Sequence, residues 1–118
     1  MDSAGSRNPA SIREWNWSPA EKAAAHRAFN LALRREKEAV LYEAKARAAH
    51  ATGVDEIWEL ESWLGKRRRE IDRDYDFRYS VLPMVFASLL RTGRLTEEEL
   101  HGLAPEKLDA IRFIAGLR

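Results

Sequence analysis

Between Pro19 and Gly53 the chain contains neither glycine nor proline and is rich in alanine. Those two residues stop helices most readily, so their absence over so long a stretch predicts one continuous helix. Its start is encoded locally: Ser18 can cap, Pro19 suits the first helical position, and Glu21 completes a capping box. Gly53 is placed to end it. About 34 helical residues span on the order of 50 Å, whereas a compact domain of 118 residues is nearer ~35 Å across. A lone globule has no room for such a helix. Its apolar face (Phe29, Leu33, Val40, Ala44, Ala48, Ala51) is alanine-rich, which permits close helix approach but buries little area. Both features predict an elongated molecule whose helices find cover in a second copy, a homodimer.

The short Thr52-Gly53-Val54 link predicts a second, antiparallel helix beginning near Asp55, whose carboxylate can cap it. At about 100° per residue its apolar stripe is Ile57, Leu60, Leu64, Ile71 and Tyr75, with Arg68 inside the stripe and Glu61 at its edge. Trp58, Ser62, Gly65 and Arg69 form a flank beside it. Asp72, Asp74 and Asp76 weaken helix propensity, and Ser80 offers a new cap. A third helix follows to about Thr92, with Pro83 in its first turn and Val81, Leu82, Val85, Phe86, Leu89 and Leu90 as the centre of a C-terminal core. Gly93 ends it, Thr96 and Glu99 form a second capping box for a short helix stopping near Gly102, and Pro105 opens a final helix carrying Leu108, Ile111, Ile114 and Ala115. No stretch shows sustained period-two alternation with hairpin turns, so strands are not expected. The expected fold is all-α: a long antiparallel helical hairpin (about 18–52 and 55–78) plus a compact C-terminal helical head (about 80–118), together one domain over 18–118. Residues 1–17 read as a flexible tail whose Trp15 and Trp17 pin its end to the body.

The charges nearly balance, 20 basic against 19 acidic for a net +1, which argues against a protein living on phosphate contacts. There is no cysteine, so disulfides and thiolate metal sites are excluded. No apolar run approaches the ~18 residues that span a membrane, and no signal peptide is visible, so a cytoplasmic protein without a membrane role is expected. His26, His50 and His101 lack helical-spacing partners for a metal. Asp72, Asp74 and Asp76 copy the first spacings of a calcium loop, but the required glycine is missing and Pro83 stands where the bidentate Glu is needed. With no phosphate loop and no nucleophile elbow, neither an enzyme nor a cofactor is expected. On a helix, Lys66, Arg67, Arg68 and Arg69 point around the whole circumference and are followed by Glu70, Asp72, Asp74 and Asp76. The run therefore reads as solvated, salt-bridged surface rather than a nucleic-acid site. The last two capped helices faintly suggest a helix-turn-helix but lack base-reading polar residues. Arg68 has two readings of equal weight: an ion pair with Glu61 or one of the Asp residues, within or between subunits, or a recognition residue on a protein surface.

The pattern Asp55-Glu56-Ile57-Trp58-Glu59-Leu60, Arg67-Arg68, Glu70-Ile71-Asp72, Tyr75-Asp76-x-Arg78-x-Ser80-Val81, continuing through Val85-Phe86-Ala87-x-Leu89-Leu90 and Glu98-Glu99-Leu100, resembles the cyanobacterial fluorescence recovery protein family. The likeness reaches back to Trp17-Ser18-x-Ala20-Glu21 and covers most of the chain. It implies an all-α homodimer that binds photoactivated orange carotenoid protein and speeds its return to the orange state, ending energy quenching at the phycobilisome. Such a protein is neither an enzyme nor a carotenoid carrier. Trp58 and Arg68 match the family's central surface patch, Met84 and Phe86 its head region, and Ile57 its dimer seam. The chain departs from the family where a His-Asp pair is expected: here stand Glu61 and Ser62. A partner tuned to an Asp at position 62 loses a charge-assisted contact of roughly 1.5–3 kcal/mol, about ten- to a hundredfold in affinity.

The expected partner-binding set is thus Trp58, Glu61, Ser62, Arg68, Met84 and Phe86, and the expected dimer interface Phe29, Leu33, Val40, Ile57, Leu60 and Leu64. The alternative to a working recovery protein is a relative that keeps the dimeric scaffold but has an altered recognition patch and a different protein partner. A general helical adaptor and a purely structural dimer, with Trp58 and Arg68 in its seam, are further readings.

Overall fold

The computed structural model describes residues 15–117. Of the tail expected over 1–17, residues 1–14 lie outside the described residues. The fold is all-α: α1 (Pro19–His50), α2 (Val54–Asp74), α3 (Leu82–Arg91), a 3-10 turn (Glu97–Leu100) and α4 (Pro105–Ala115), with no strand among the described residues. The capping box at the start of α1 forms, the Ser18 N–H donating to Glu21 Oε1 at 3.0 Å and the Glu21 N–H to Ser18 Oγ at 3.1 Å. The Thr96 N–H likewise donates to Glu99 Oε1 at 3.0 Å and opens the 3-10 turn.

The turn between α1 and α2 is built differently from the expectation. α1 stops at His50, and Gly53 has extended backbone (φ −155°, ψ 170°), so Gly53 caps the start of α2 rather than the end of α1. The side chain that satisfies this turn is Glu56, not Asp55. Its Oε1 accepts from the Thr52 N–H, the Thr52 hydroxyl and the Gly53 N–H. Those bonds, from Thr52 first, lower the carboxyl's pKa. At its other end α2 stops at Asp74, before Asp76 and the irregular backbone of residues 75–78. Asp74 and Asp76 hold the guanidinium groups of Arg73 and Arg78 at 2.8 and 2.6 Å.

Two compact units divide the chain, and α1 runs through both. The head takes the chain up to Ala32 together with everything from Asp76 onward; the stem is Leu33–Tyr75. In the head, Leu82, Phe86, Leu100 and Ile111 are enclosed, and Ala24, Ala25, Ala28 and Ala32 of α1 join them. The alanines let backbone approach closely. A Cβ on Gly102, whose φ is +103°, would fall 2.8 Å from Ala24 Cβ, so this position requires glycine. The segment after α2 covers the outer side of α1 with aromatic rings. Phe77 stacks on His26 at 4.1 Å and meets Phe29 edge-on at 5.0 Å, while Tyr79 lies 5.2 Å from buried Trp17.

A buried ion pair ties the starts of α1 and α4 together. Lys107 Nζ lies 2.9 Å from Glu21 Oε2 and 2.8 Å from the Asn16 carbonyl, and the Ala104 N–H donates to the same Glu21 oxygen. Trp15 and Trp17 each offer a ring face to this ammonium, at 5.5 and 5.2 Å. Burial pushes the Glu21 carboxyl up, but hydrogen bonds from Ser18, Lys107 and Ala104 outweigh it and bring its pKa from 4.5 down to about 2.

The stem has no such core: no residue from Leu33 to Tyr75 is buried. The inner face of α2 is the half-buried set Leu60, Trp63, Arg67, Glu70 and Ile71. Arg67 bridges Glu36 of α1 and Glu70, and the Tyr75 hydroxyl donates to Glu36 at 2.9 Å. Nearer the turn, Arg47 lies over the Trp63 ring at 4.5 Å. These contacts pair residue 36 with 67–75 and residue 47 with 63, the order of an antiparallel hairpin. They also correct the reading of Arg67 as solvated charge. Its guanidinium pKa is raised by Glu70 first and by Glu36, against the opposing effect of burial.

Candidate interaction surface

The face of α2 turned away from α1 carries Val54, Ile57, Trp58, Glu61, Leu64 and Arg68, all exposed within the chain. Steps of three and four residues put Ile57, Glu61, Leu64 and Arg68 on one line, with Trp58 and Ser62 one helical turn apart on its flank. Trp58 is 60% exposed, far from the environment a large apolar ring normally finds. Neither Glu61 nor Arg68 makes a hydrogen bond or ion pair with another described residue. The surface therefore combines uncovered apolar area with two solvent-exposed opposite charges. Chemically it offers what protein interfaces use, namely aromatic and Arg anchors among aliphatic side chains.

The expected site residues do not share one environment. Trp58, Glu61, Ser62 and Arg68 lie on this stem face, whereas Met84 belongs to the head and is exposed on α3. Phe86 is corrected: it is 0% exposed and packs in the head core, so it offers no side chain to a partner. Two residues turn a helix by about 200°, which puts Phe86 on the opposite side of α3 from Met84. Phe29 is likewise buried in the head of its own chain, edge-on to Phe77. Leu33, Val40 and Leu60 are half-buried, while Ile57 and Leu64 are exposed.

Three features escaped the sequence reading. Leu41 and Tyr42 are exposed on α1, and Phe113 on α4 with Leu117 just past its end. Phe113 was legible, since it falls off the stripe of Leu108, Ile111 and Ala115; Tyr42 stood in a helix whose covered side had no local marker. The third is Lys107, whose partner Glu21 is 86 residues away.

The head holds an open cavity of about 190 Å³ lined by Leu90, Leu100, Leu108 and Ile111, with Glu97, Asp109 and Arg112 as its ionic groups. Of these, Glu97 and Arg112 sit 3.1 Å apart and engage each other. Among the described residues no cluster of His, Asp or Glu could hold a metal ion, and no helix is long and apolar enough to cross a membrane.

The family model described as photoprotection regulator fluorescence recovery protein matches residues 17–115. The chain is 42% identical over 101 residues to the fluorescence recovery protein of a Synechocystis species, covering 86% of this chain and 93% of that one. The solved structure of the Synechocystis protein superposes with a TM-score of 0.82 at 41% identity, and that of the Fremyella diplosiphon protein with 0.82 at 37%. Each comparison covers 86% of this chain and the whole of the other.

Proposed function

This chain belongs to the fluorescence recovery protein family of photoprotection regulators, and from that premise we propose that it acts as a dimer which binds orange carotenoid protein, or a related carotenoid-binding domain, and accelerates its return to the orange state. The observation that carries this reading is the outward face of α2, where Trp58 and Arg68 stand uncovered with no structural task inside the chain. A protein of this kind works without catalysis. It has to bind the closing arrangement of its partner better than the open one, and it shifts the equilibrium only by that difference. The same exposed apolar line supports self-association, because a two-helix stem without a single buried residue has too little cover to be stable by itself. Action in the cytoplasm, without nucleic acid or cofactor, completes the reading.

Glu61 and Ser62 favour a second reading, in which the scaffold is kept and the recognition patch serves another protein. The deciding experiment measures the red-to-orange reversion rate of an orange carotenoid protein with this chain added. Acceleration by the native chain supports the first reading. Acceleration only after Glu61→His with Ser62→Asp supports the second. No effect from either version, with both folded, rejects recovery activity.

A further inference from the structure

The cavity in the head is apolar inside and acidic at its rim. Its volume of about 190 Å³ is room for roughly six waters at about 30 Å³ each, and lies below the ~300–1,000 Å³ of small-molecule sites. A space of that size holds one large aliphatic or aromatic side chain. Leu90, Leu100, Pro105, Leu108 and Ile111 give it an apolar lining. Pro105, Leu108, Asp109 and Arg112 recur at steps of three and four, so α4 presents them on one face. Phe113, 83% exposed, stands one turn on from Asp109 and adds uncovered apolar surface beside that face.

The chain carries a net +1, yet the exposed carboxylates Glu97, Glu98, Glu106 and Asp109 gather on the 3-10 turn and the first turns of α4. Basic groups of this region are already engaged: Arg112 with Glu97, Lys107 with Glu21, and Arg27 with the His101 carbonyl. Asp109 lines the cavity and is exposed, and no hydrogen bond or ion pair to another described residue holds it. The lining therefore favours an apolar anchor, and Asp109 favours a cation beside that anchor while repelling a carboxylate in the same place. We propose that the cavity is a docking site for a segment of another protein in which one large aliphatic or aromatic residue is flanked by Lys or Arg. The apolar side chain fills the space between α3, the 3-10 turn and α4, its basic neighbour pairs with Asp109, and Phe113 covers the flank. Exposed ion pairs contribute little by themselves, so the cavity supplies the affinity and the acidic rim the choice among partners. The site lies wholly within the head and uses neither Trp58 nor Arg68, so it stands independently of any action on a carotenoid protein.

The test titrates the full chain, followed by amide NMR, with acetyl-Arg-Leu-Arg-amide, acetyl-Arg-Ala-Arg-amide and acetyl-Glu-Leu-Glu-amide. The first peptide should shift the amides of Leu90, Leu108 and Arg112 with a dissociation constant on the order of 1 mM, as one buried side chain allows. Replacing its Leu by Ala removes the carbons that fill the cavity and should weaken binding at least ~tenfold. The Glu peptide should bind at least ~fivefold more weakly than its Arg counterpart. Asp109→Asn changes an exposed side chain, with folding verified by circular dichroism, and should bring the Arg and Glu peptides within ~twofold of each other. Absence of shifts, shifts centred on other residues, or equal binding of the Leu and Ala peptides would overturn the cavity as the anchor site. Equal binding of the Arg and Glu peptides to the native chain, or an undiminished preference for Arg in Asp109→Asn, would overturn the charge selection and with it the proposal.

Discussion

In the head, Leu82, Phe86 and Ile111 are fully enclosed and even an ion pair is buried, whereas in the stem no residue from Leu33 to Tyr75 is buried. Composition does not separate the two. The stem carries Trp58, Trp63, Leu41, Leu60 and Leu64, enough apolar area for a core. What differs is the number of surfaces that converge. The head brings half of α1, the aromatic linker, α3 and α4 around one centre, so each side chain is covered from several directions. Two helices side by side can each hide only one stripe, and the rest of their surface faces outward. The head's core is complete within one chain, and the stem leaves its outer faces uncovered.

That contrast can be broken from either side. The largest effects should come from the head. Phe86→Ala removes an enclosed ring and should cost about 3–5 kcal/mol, read as a loss of denaturant midpoint in the isolated protein at any concentration. Lys107→Met should cost a similar amount, about 3–5 kcal/mol, because it leaves the Glu21 carboxylate buried without its counter-ion. Rescue by Glu21→Gln in the same chain would identify the stranded charge as the cause, and no rescue would point to lost packing around Trp15 and Trp17.

In the stem the effect should depend on concentration instead. Ile57→Glu places a charge in the exposed apolar line and should weaken self-association by roughly a hundredfold, seen by light scattering as monomers. A variant that remains dimeric would move the seam to another face. The head's unfolding midpoint in dilute monomer should not change.

Acid separates the units more gently. The Glu21 pKa is depressed, so its contribution to stability is fully present above the ordinary value of 4.5 and is lost as pH falls through about 2. The head should therefore keep its near-ultraviolet signal at pH 4 and lose this support only between roughly 4.5 and 2. In Glu21→Gln that part of the pH dependence should be missing; an unchanged acid transition would assign it to other carboxylates. The smallest stability effect should be Trp58→Ala, within about 0.5 kcal/mol of native, since the ring touches little of its own chain. Partner response should nevertheless fall. A large drop in stability would mean that the ring packs in the seam.

Features that depend on neighbours in sequence were readable in advance. The capping boxes at Ser18/Glu21 and Thr96/Glu99, the stop at Gly93 and the start at Pro105 each need only a few consecutive residues, and their chemistry is local. The turn at Gly53 was misjudged because a glycine serves either helix end, and which end depends on backbone angles that Glu56 helps to set. The mixed stripe of α2 illustrates the same limit on periodicity. It groups Ile57, Leu60, Leu64 and Ile71 correctly as apolar but cannot divide them between the face that meets α1 and the face left open. Phe86 and Met84 were assigned one role for want of the same division.

Sequence by itself determined the all-helical class, the helix ends that rest on local caps, and the candidate charges Glu61 and Arg68, because these follow from propensity, short-range hydrogen bonds and periodicity. Tertiary structure alone decided which side of each helix is covered. It placed Phe29 under Phe77, held Lys107 against Glu21 and joined Arg67 to Glu36. Burial is a property of surfaces brought together from distant parts of a chain, and no residue carries in its own neighbourhood the information of what will lie against it.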